Sequence, residues 1–502
     1  MPVDFDPYAL LGISTDASEE EVRDAYRRAA RRLHPDTNRN NPGAAVQFTD
    51  ITAAYNVLVN ARERRAYDEE AQQRSPDTLT FSLRVTPSKR NLFPLSETQV
   101  VYMLVEITPD PRAETVQEQI RAQTHLNLTL VLDKSNSMNA GRIERVQIAA
   151  HKIIDQLDVH DILSVVAFND HAELVIPATT VSDKPALKAK ISMLKAFGGT
   201  EMYNGLALGI EQNKKFLAPR LTNNVILVTD GNTYGDQERC LELARAVEKE
   251  GISISTMGLG SEWNDQFLDE LAALTGGAST YIKSPRTVVQ FMNDHVRGLA
   301  NGFAERLMLS IAPDMGVKLE SAFKLMPNPQ PLSVEEGYIP LGSLQIDRMT
   351  TVLLQFELPA DMAEGYRSIA RIVVVGDIMT NEQRKYQALS DISLGITRAT
   401  SNEETPPAIM DALGRLTLYK MQERAQEAID QGNVAEATNR LEKLATRLFQ
   451  LGEGELAEEV RQNAIHVQKT KALSDEARKD IKYQTRTLVS GMKRNSELES
   501  NS

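Results

Sequence analysis

The chain has 502 residues, enough for two to four domains that each bury a core. Its 41% hydrophobic and 25% charged residues are ordinary for a folded protein, and a formal charge of −13 argues against a general nucleic-acid or anionic-membrane binder. The only cysteine, Cys240, excludes an intrachain disulfide or a cysteine-rich zinc module and reads as a small apolar residue on a helix. The first twelve residues are acidic and lack the charged and apolar regions of a signal peptide. No run reaches the roughly 18 apolar residues that span a bilayer, so a soluble, cytoplasmic protein is expected.

From Asp6 to about Arg74 the apolar spacing is helical. Ser18 reads as an N-cap, with Glu21 completing a capping box. Behind it, Val22, Ala25, Tyr26, Ala29, Ala30 and Leu33 form one stripe, while Arg23, Arg27, Arg28, Arg31 and Arg32 crowd the remaining surface. Pro35, within His34-Pro35-Asp36, stops this helix. A polar loop then leads to a second helix carrying Phe48, Ile51, Ala54, Tyr55 and Leu58, so an antiparallel hairpin with the loop at its tip is expected. Taken alone, the arginines are equally a solvated face and His34 a helix C-cap.

The combination resembles the J-domain family along its whole length: Asp6-Pro7-Tyr8, Leu10-Leu11-Gly12, the basic helix, His34-Pro35-Asp36, Phe48, Ala54-Tyr55, Leu58 and Arg65-Ala66-Tyr67-Asp68. The resemblance implies a co-chaperone module that docks on the ATPase domain of a 70-kDa heat-shock chaperone and stimulates its ATP hydrolysis. It assigns His34, Pro35, Asp36, Arg23, Arg27, Arg28 and Arg31 to chaperone binding. The catalytic residues would belong to the partner. No glycine/phenylalanine-rich segment and no zinc domain follow, which points to a specialised J-protein whose other domains choose the client.

Beyond a turn-like linker at 74–77, Leu79, Phe81, Leu83 and Val85 alternate with polar residues, as do Val101, Met103, Val105 and Ile107 after a loop at 87–94. Short strand signals return at 307–311, 317–319, 338–341, 351–358 and 370–375, separated by turns. An antiparallel β-sandwich built from 77–120 and 305–395 is expected; two separate β modules are the alternative.

Between them, strands at 126–132, 162–168, 174–176, 224–229, 252–259 and 280–282 alternate with helices near 142–157, 185–196, 202–216, 237–250 and 265–274. This predicts an inserted, doubly wound, Rossmann-like α/β domain over 125–300. Its first strand is a continuous apolar run ending at Asp133, with hydroxyls at Ser135 and Ser137. A second buried strand ends at Asp230, and Thr200 follows the glycine pair Gly198-Gly199. Asp133 and Asp230 are common helix-cap residues, yet with the hydroxyls they make an all-oxygen set suited to Mg²⁺. The domain resembles the von Willebrand factor type A family, whose metal-ion-dependent adhesion site matches Asp133, Ser135, Ser137, Thr200 and Asp230. Asn136 replaces the usual glycine between the serines and tolerates the same left-handed backbone. The resemblance implies a divalent cation that captures an Asp or Glu of a protein ligand. Lys134 and Glu201 are weak candidates for a base, so adhesion is expected over hydrolysis, and the chain is not expected to be an enzyme.

Residues 405–490 carry helical spacing broken at Gly432-Asn433 and Gly452-Glu453-Gly454, a small bundle packed on the sandwich or offering a protein-binding face. A polar tail, 491–502, is expected to be disordered. The expected architecture is therefore multidomain: an all-α J-domain hairpin over 1–74, a discontinuous sandwich, the inserted type A domain and a C-terminal helical bundle. The function that follows is a chaperone adaptor; a metal-dependent scaffold working with a ring ATPase, its J-domain only a docking handle, is the alternative.

Overall fold

The computed structural model describes residues 6–489 except 15, 37, 40, 73–77, 140, 219, 234, 285–286, 335–336, 381–384 and 400–402. The linker at 74–77 and the tail at 491–502 lie outside the described residues.

Four helices open the chain: α1 (Pro7–Leu11), α2 (Glu19–Leu33), α3 (Pro42–Val59) and α4 (Ala61–Gln72). The capping box forms, with Ser18 N donating to Glu21 Oε2 at 2.7 Å and Glu21 N to Ser18 Oγ at 3.3 Å. Val22, Ala25 and Leu33 of α2 share a core with Ile51, Ala54 and Leu58 of α3, and the Tyr26 and Tyr55 rings stack 4.3 Å apart. The hydroxyl of Tyr8 donates to Asp68 at 2.8 Å and accepts from Arg64 at 2.9 Å, closing α1 on α4.

Strands β1 (Phe81–Pro87), β2 (Asn91–Leu92) and β3 (Gln99–Pro109) follow, β2 lying where a plain loop is expected. Two short helices unforeseen in the sequence, α5 (Arg112–Thr115) and α6 (Gln117–Gln123), lead into the α/β unit. That unit runs β4 (His125–Asp133), α7 (Arg142–Gln156), β5 (Ile162–Phe168), β6 (Ala172–Thr180), α8 (Lys184–Ser192), α9 (Met202–Lys214), β7 (Leu221–Thr229), α10 (Gln237–Glu248), β8 (Ser253–Leu259), α11 (Asp265–Ala273), β9 (Ser279–Ile282) and α12 (Val288–Ala300). The sheet order is β6-β5-β4-β7-β8-β9, parallel except for β6. Both faces of β4 are covered: Leu128, Leu130 and Leu132 meet Val146 and Ile153 of α7, while Val131 meets Leu206 and Ile210 of α9. That two-sided burial is why its sequence is an unbroken apolar run. The chain steps outward through β5 and β6, then restarts on the other side of β4 at β7, which puts the topological switch point between the carboxyl ends of β4 and β7.

The chain then returns to β structure through β10 (Gly302–Pro313), β11 (Lys318–Met326), β12 (Gln330–Leu332), β13 (Tyr338–Gln345), β14 (Thr350–Leu358), β15 (Gly365–Ile378) and β16 (Lys385–Ile396). One sheet is ordered β1-β3-β14-β11-β12 and the other β13-β10-β15-β16-β2. Strand β14 pairs with β3 in antiparallel register, Val352 opposite Val105, so strands from before and after the α/β unit share one sheet. Val101, Met103, Val105 and Ile107 face Leu309, Ile372 and Val374 across the sandwich core.

Four helices close the described chain: α13 (Pro407–Asp430), α14 (Val434–Gln450), α15 (Gly454–Thr470) and α16 (Asp475–Val489). They serve both neighbours. Ile409, Ala412, Leu416 and Tyr419 of α13 cover Leu104, Phe323, Leu325 and Leu353 on the outer sandwich face. Helix α16 instead grips the α/β unit, where Arg478 and Lys482 meet Asp265, and Arg486 and Lys482 meet Asp269 at 2.6 and 2.8 Å. Burial pushes the Asp269 carboxyl up, but the Arg486 and Lys482 charges prevail and hold it well below the ordinary carboxylate range.

The J-domain is seated on the second sheet of the sandwich. Buried Gln47 donates to the Arg371 carbonyl at 3.2 Å, Arg371 donates to the Leu10 carbonyl at 2.9 Å, and Arg32 pairs with Asp391 at 3.0 Å. Gly43 is obligatory there, since a Cβ would sit 1.8 Å from the Ile311 carbonyl oxygen.

Candidate metal centre and docking loop

The five residues assigned to a metal from the sequence converge on the switch point. Asp133 closes β4, and Asp230 follows the last residue of its parallel neighbour β7. Past Asp133 the backbone makes a short 3-10 turn over Asn136–Met138, pinned by the fully buried Met138 side chain. Asn136 belongs to that turn and is absent from the positive-φ residues, so the expected left-handed backbone is not used. Backbone bonds from Asn136 N to the Gly198 carbonyl at 3.0 Å and from Phe197 N to the Lys134 carbonyl at 2.8 Å tie the loop before Thr200 to the serine loop.

Within the pocket Ser135 Oγ and Ser137 Oγ are 2.9 Å apart, and Ser137 Oγ donates to Asp230 Oδ1 at 2.6 Å. Asp133 Oδ1 accepts from Ser135 N at 2.8 Å and its Oδ2 from Thr229 Oγ1 at 2.7 Å. A Cβ placed on Gly231 would lie 3.5 Å from Thr200 Oγ1 and 3.7 Å from Ser137 Oγ, so the hydroxyls border one small space that a side chain would fill. Asp133 and Asp230 are fully buried. Burial pushes the Asp133 carboxyl up to about 6, against hydrogen bonds from Thr229 and Ser135 that favour its charge. Among the described residues no group of three or more His, Cys, Asp or Glu is placed to hold a metal ion, and the donors at this pocket are all oxygen. Two carboxylates with three hydroxyls fit a hard divalent cation, whose charge would relieve the cost of burying Asp133 ionised.

Several supporting residues escape a reading of the sequence. Thr229 is the last residue of β7, one past Val228, which pairs with Leu132 in the parallel register. Asp170 had no signal: its Oδ1 accepts from Gly199 N at 2.8 Å, and a Cβ on Gly199 would meet that oxygen at 2.3 Å. The glycine pair thus serves close approach of Asp170 as well as chain flexibility. Arg142, first residue of α7, donates to Asp230 Oδ2 and to the Ser137 carbonyl, the latter at 3.0 Å. Lys134 is tied to Glu173, and Glu201 accepts from Asn204 at 3.1 Å.

The J-domain tip is a separate surface. His34, Pro35 and Asp36 are all exposed. Asn38 shapes the turn, its Nδ2 donating to the Arg32 and His34 carbonyls at 2.8 and 3.0 Å, while Asp36 N donates to His34 Nδ1 at 3.1 Å. The His34 ring meets the edge of Phe48 at 5.5 Å. Arg23 and Arg27 pair within α2 to Glu19 and Asp24, whereas Arg28 and Arg31 stay exposed on its surface.

Fold and sites together define a J-domain joined to a von Willebrand factor type A protein. Family models match accordingly: a DnaJ domain at residues 6–68, a von Willebrand factor type A domain at 127–294, and an Sll0103-like, C-terminal alpha-helical domain at 407–491. The Synechocystis protein sll0103 is 30% identical over 401 residues, 76% of this chain and 94% of that protein. The chain belongs to this Sll0103-like family. The chaperone protein DnaJ 2 of Mycolicibacterium paratuberculosis is 49% identical over 67 residues, which span 13% of this chain and 17% of that one. Two solved structures share the fold: a von Willebrand factor type A protein from Catenulispora acidiphila (TM-score 0.63, 16% identity, 80% of this chain and 99% of that one) and the ArnB paralog VWA2 from Sulfolobus acidocaldarius (TM-score 0.51, 15% identity, 82% and 99%). The chain is a co-chaperone-like adaptor with a protein-binding type A domain. Among the described residues no helix is long and apolar enough to cross a membrane.

Proposed function

We propose that the chain recruits a 70-kDa heat-shock chaperone and stimulates its ATP hydrolysis, while the type A domain holds a client or complex through Mg²⁺. The observation that carries this reading is the presence, in one chain with its domains packed on each other, of an exposed His34-Pro35-Asp36 turn and an oxygen-lined pocket at the switch point. Asp36 and His34 would engage the chaperone, with Arg28 and Arg31 as exposed positive charges for an acidic face. Asp133, Ser135, Ser137, Thr200 and Asp230 would hold the cation directly or through water. When bound, the cation offers an open position to an Asp or Glu of the protein ligand. The chain itself performs no hydrolysis in this reading, because the charged neighbours Lys134 and Glu201 are engaged elsewhere. Its proposed place of action is the cytoplasm.

The test uses the full chain. It should raise ATP turnover by its cognate chaperone, and His34→Gln should remove the effect. Pull-downs in Mg²⁺ against EDTA should differ, and that difference should vanish with Asp133→Ala. Capture that is identical in EDTA sinks the metal arm. Turnover unaffected by the chain, with Mg²⁺-dependent capture retained, favours instead a scaffold for a ring ATPase in which the J-domain is only a handle.

A further inference from the structure

Asp230 divides its two oxygens between different tasks. Oδ1 faces the hydroxyl cluster through Ser137 at 2.6 Å, whereas Oδ2 is taken by the Arg142 guanidinium. The same guanidinium reaches the Ser137 carbonyl at 3.0 Å, so one side chain joins the serine loop to the second carboxylate. Its position is built into the fold. Gly141, at φ +87, turns the chain into α7 so that Arg142 begins the helix beside the pocket. The loop after β8 closes over it, with a Cβ on Gly260 lying 3.4 Å from Arg142 Nη2. Asp230 is fully buried and Arg142 only 31% exposed, so this pair is weakly screened.

We propose that Arg142 is a resident counter-ion of the site: it neutralises one of two buried carboxylates while no cation is bound, and it keeps a cation weakly held until an acidic ligand completes the charge balance. The inference rests on the metal reading above. Charge arithmetic carries it. Asp133, Asp230 and Arg142 leave one net negative charge, which a divalent ion turns into one net positive charge. Without Arg142 the two carboxylates would cancel the ion completely, and the ion would need no further anion. With Arg142 the loaded pocket is electropositive, which favours a carboxylate of the partner and couples ion and ligand binding positively. The guanidinium faces Oδ2, so it does not compete for the oxygen that looks into the pocket.

Titration of the full chain with Mn²⁺ alone, read by the loss of free-ion paramagnetic signal, tests this directly. Arg142→Gln should bind Mn²⁺ about tenfold tighter than wild type, and Arg142→Lys, which keeps the charge, within about twofold of it. The melting temperature of Arg142→Gln should drop in EDTA and return to the wild-type value in saturating Mn²⁺; a merely structural arginine would lower it in both. Arg142→Met serves as the second charge-removing variant and should tighten Mn²⁺ binding as well. Unchanged or weaker Mn²⁺ binding in the neutral variants, with wild type binding normally, overturns the counter-ion role alone. A wild-type chain that binds no Mn²⁺ overturns the metal reading together with it.

Discussion

Asp36 at the J-domain tip and the pair Asp133 and Asp230 in the type A pocket are acidic residues under opposite physical conditions. The Asp36 side chain is 81% exposed, and its loop is organised by neighbours within a few residues, chiefly His34 and Asn38. Asp133 and Asp230 are fully buried, 97 positions apart in the numbering, and held by donors from Thr229, Ser135, Ser137 and Arg142. An exposed carboxylate costs nothing to keep charged and is free to be read by another protein. A buried pair raises the free energy of the empty pocket, and that cost is what a cation can relieve. Under the proposed function the first would be a handle and the second a socket.

The sharpest break of this comparison comes from His34→Gln. Chaperone stimulation should fall by about tenfold or more with little change in melting temperature, since the half-exposed side chain touches the core only at the edge of Phe48. A matching loss of stability would mean that the tip is structural. Asp133→Ala should behave in the opposite way. Mg²⁺ at a hundred times its Kd should stabilise wild type by about 2.7 kcal/mol and leave the variant unmoved, which scanning calorimetry can read.

A third test concerns the clamp of α16 on the type A domain. Asp269→Asn strands Arg486 in a buried setting and leaves Lys482 with Asp265 alone, and should cost about 3 kcal/mol in urea unfolding. Because the folded carboxyl of Asp269 lies below its unfolded value, its contribution is present above the ordinary carboxylate pKa and is lost as pH falls through the folded value. The clamp should therefore weaken only in strong acid; loosening between pH 6 and 7 would contradict it. Gly43→Ala should cost about 1–3 kcal/mol through overlap with the Ile311 carbonyl, or release the J-domain, visible as new protease cuts. The smallest effect belongs to Arg31→Ala, expected to slow chaperone association a few-fold at low salt and hardly at all at high salt.

The J-domain was legible almost residue by residue, because capping by Ser18 and Glu21, the break at Pro35 and the stripe through Val22 and Leu33 are local decisions of a short hairpin. The metal candidates were legible for another reason. A strand buried on both faces must be apolar, so its polar stop at Asp133 or Asp230 stands out. What stayed hidden lies where side chains far apart in the chain meet. Leu104 alternates with the inward-facing Met103 and Val105, and its burial depends on α13, some three hundred residues later. The basic residues of α16 carry no signal in the sequence, and only the fold sets Asp265 and Asp269 opposite them. Local periodicity and stops thus specified most of the elements and the candidate ligand types. Packing decided the rest: which faces are covered, which charges are paired, and that an arginine at the start of α7 stands beside the second carboxylate. Such pairings depend on distances between segments that no local pattern encodes.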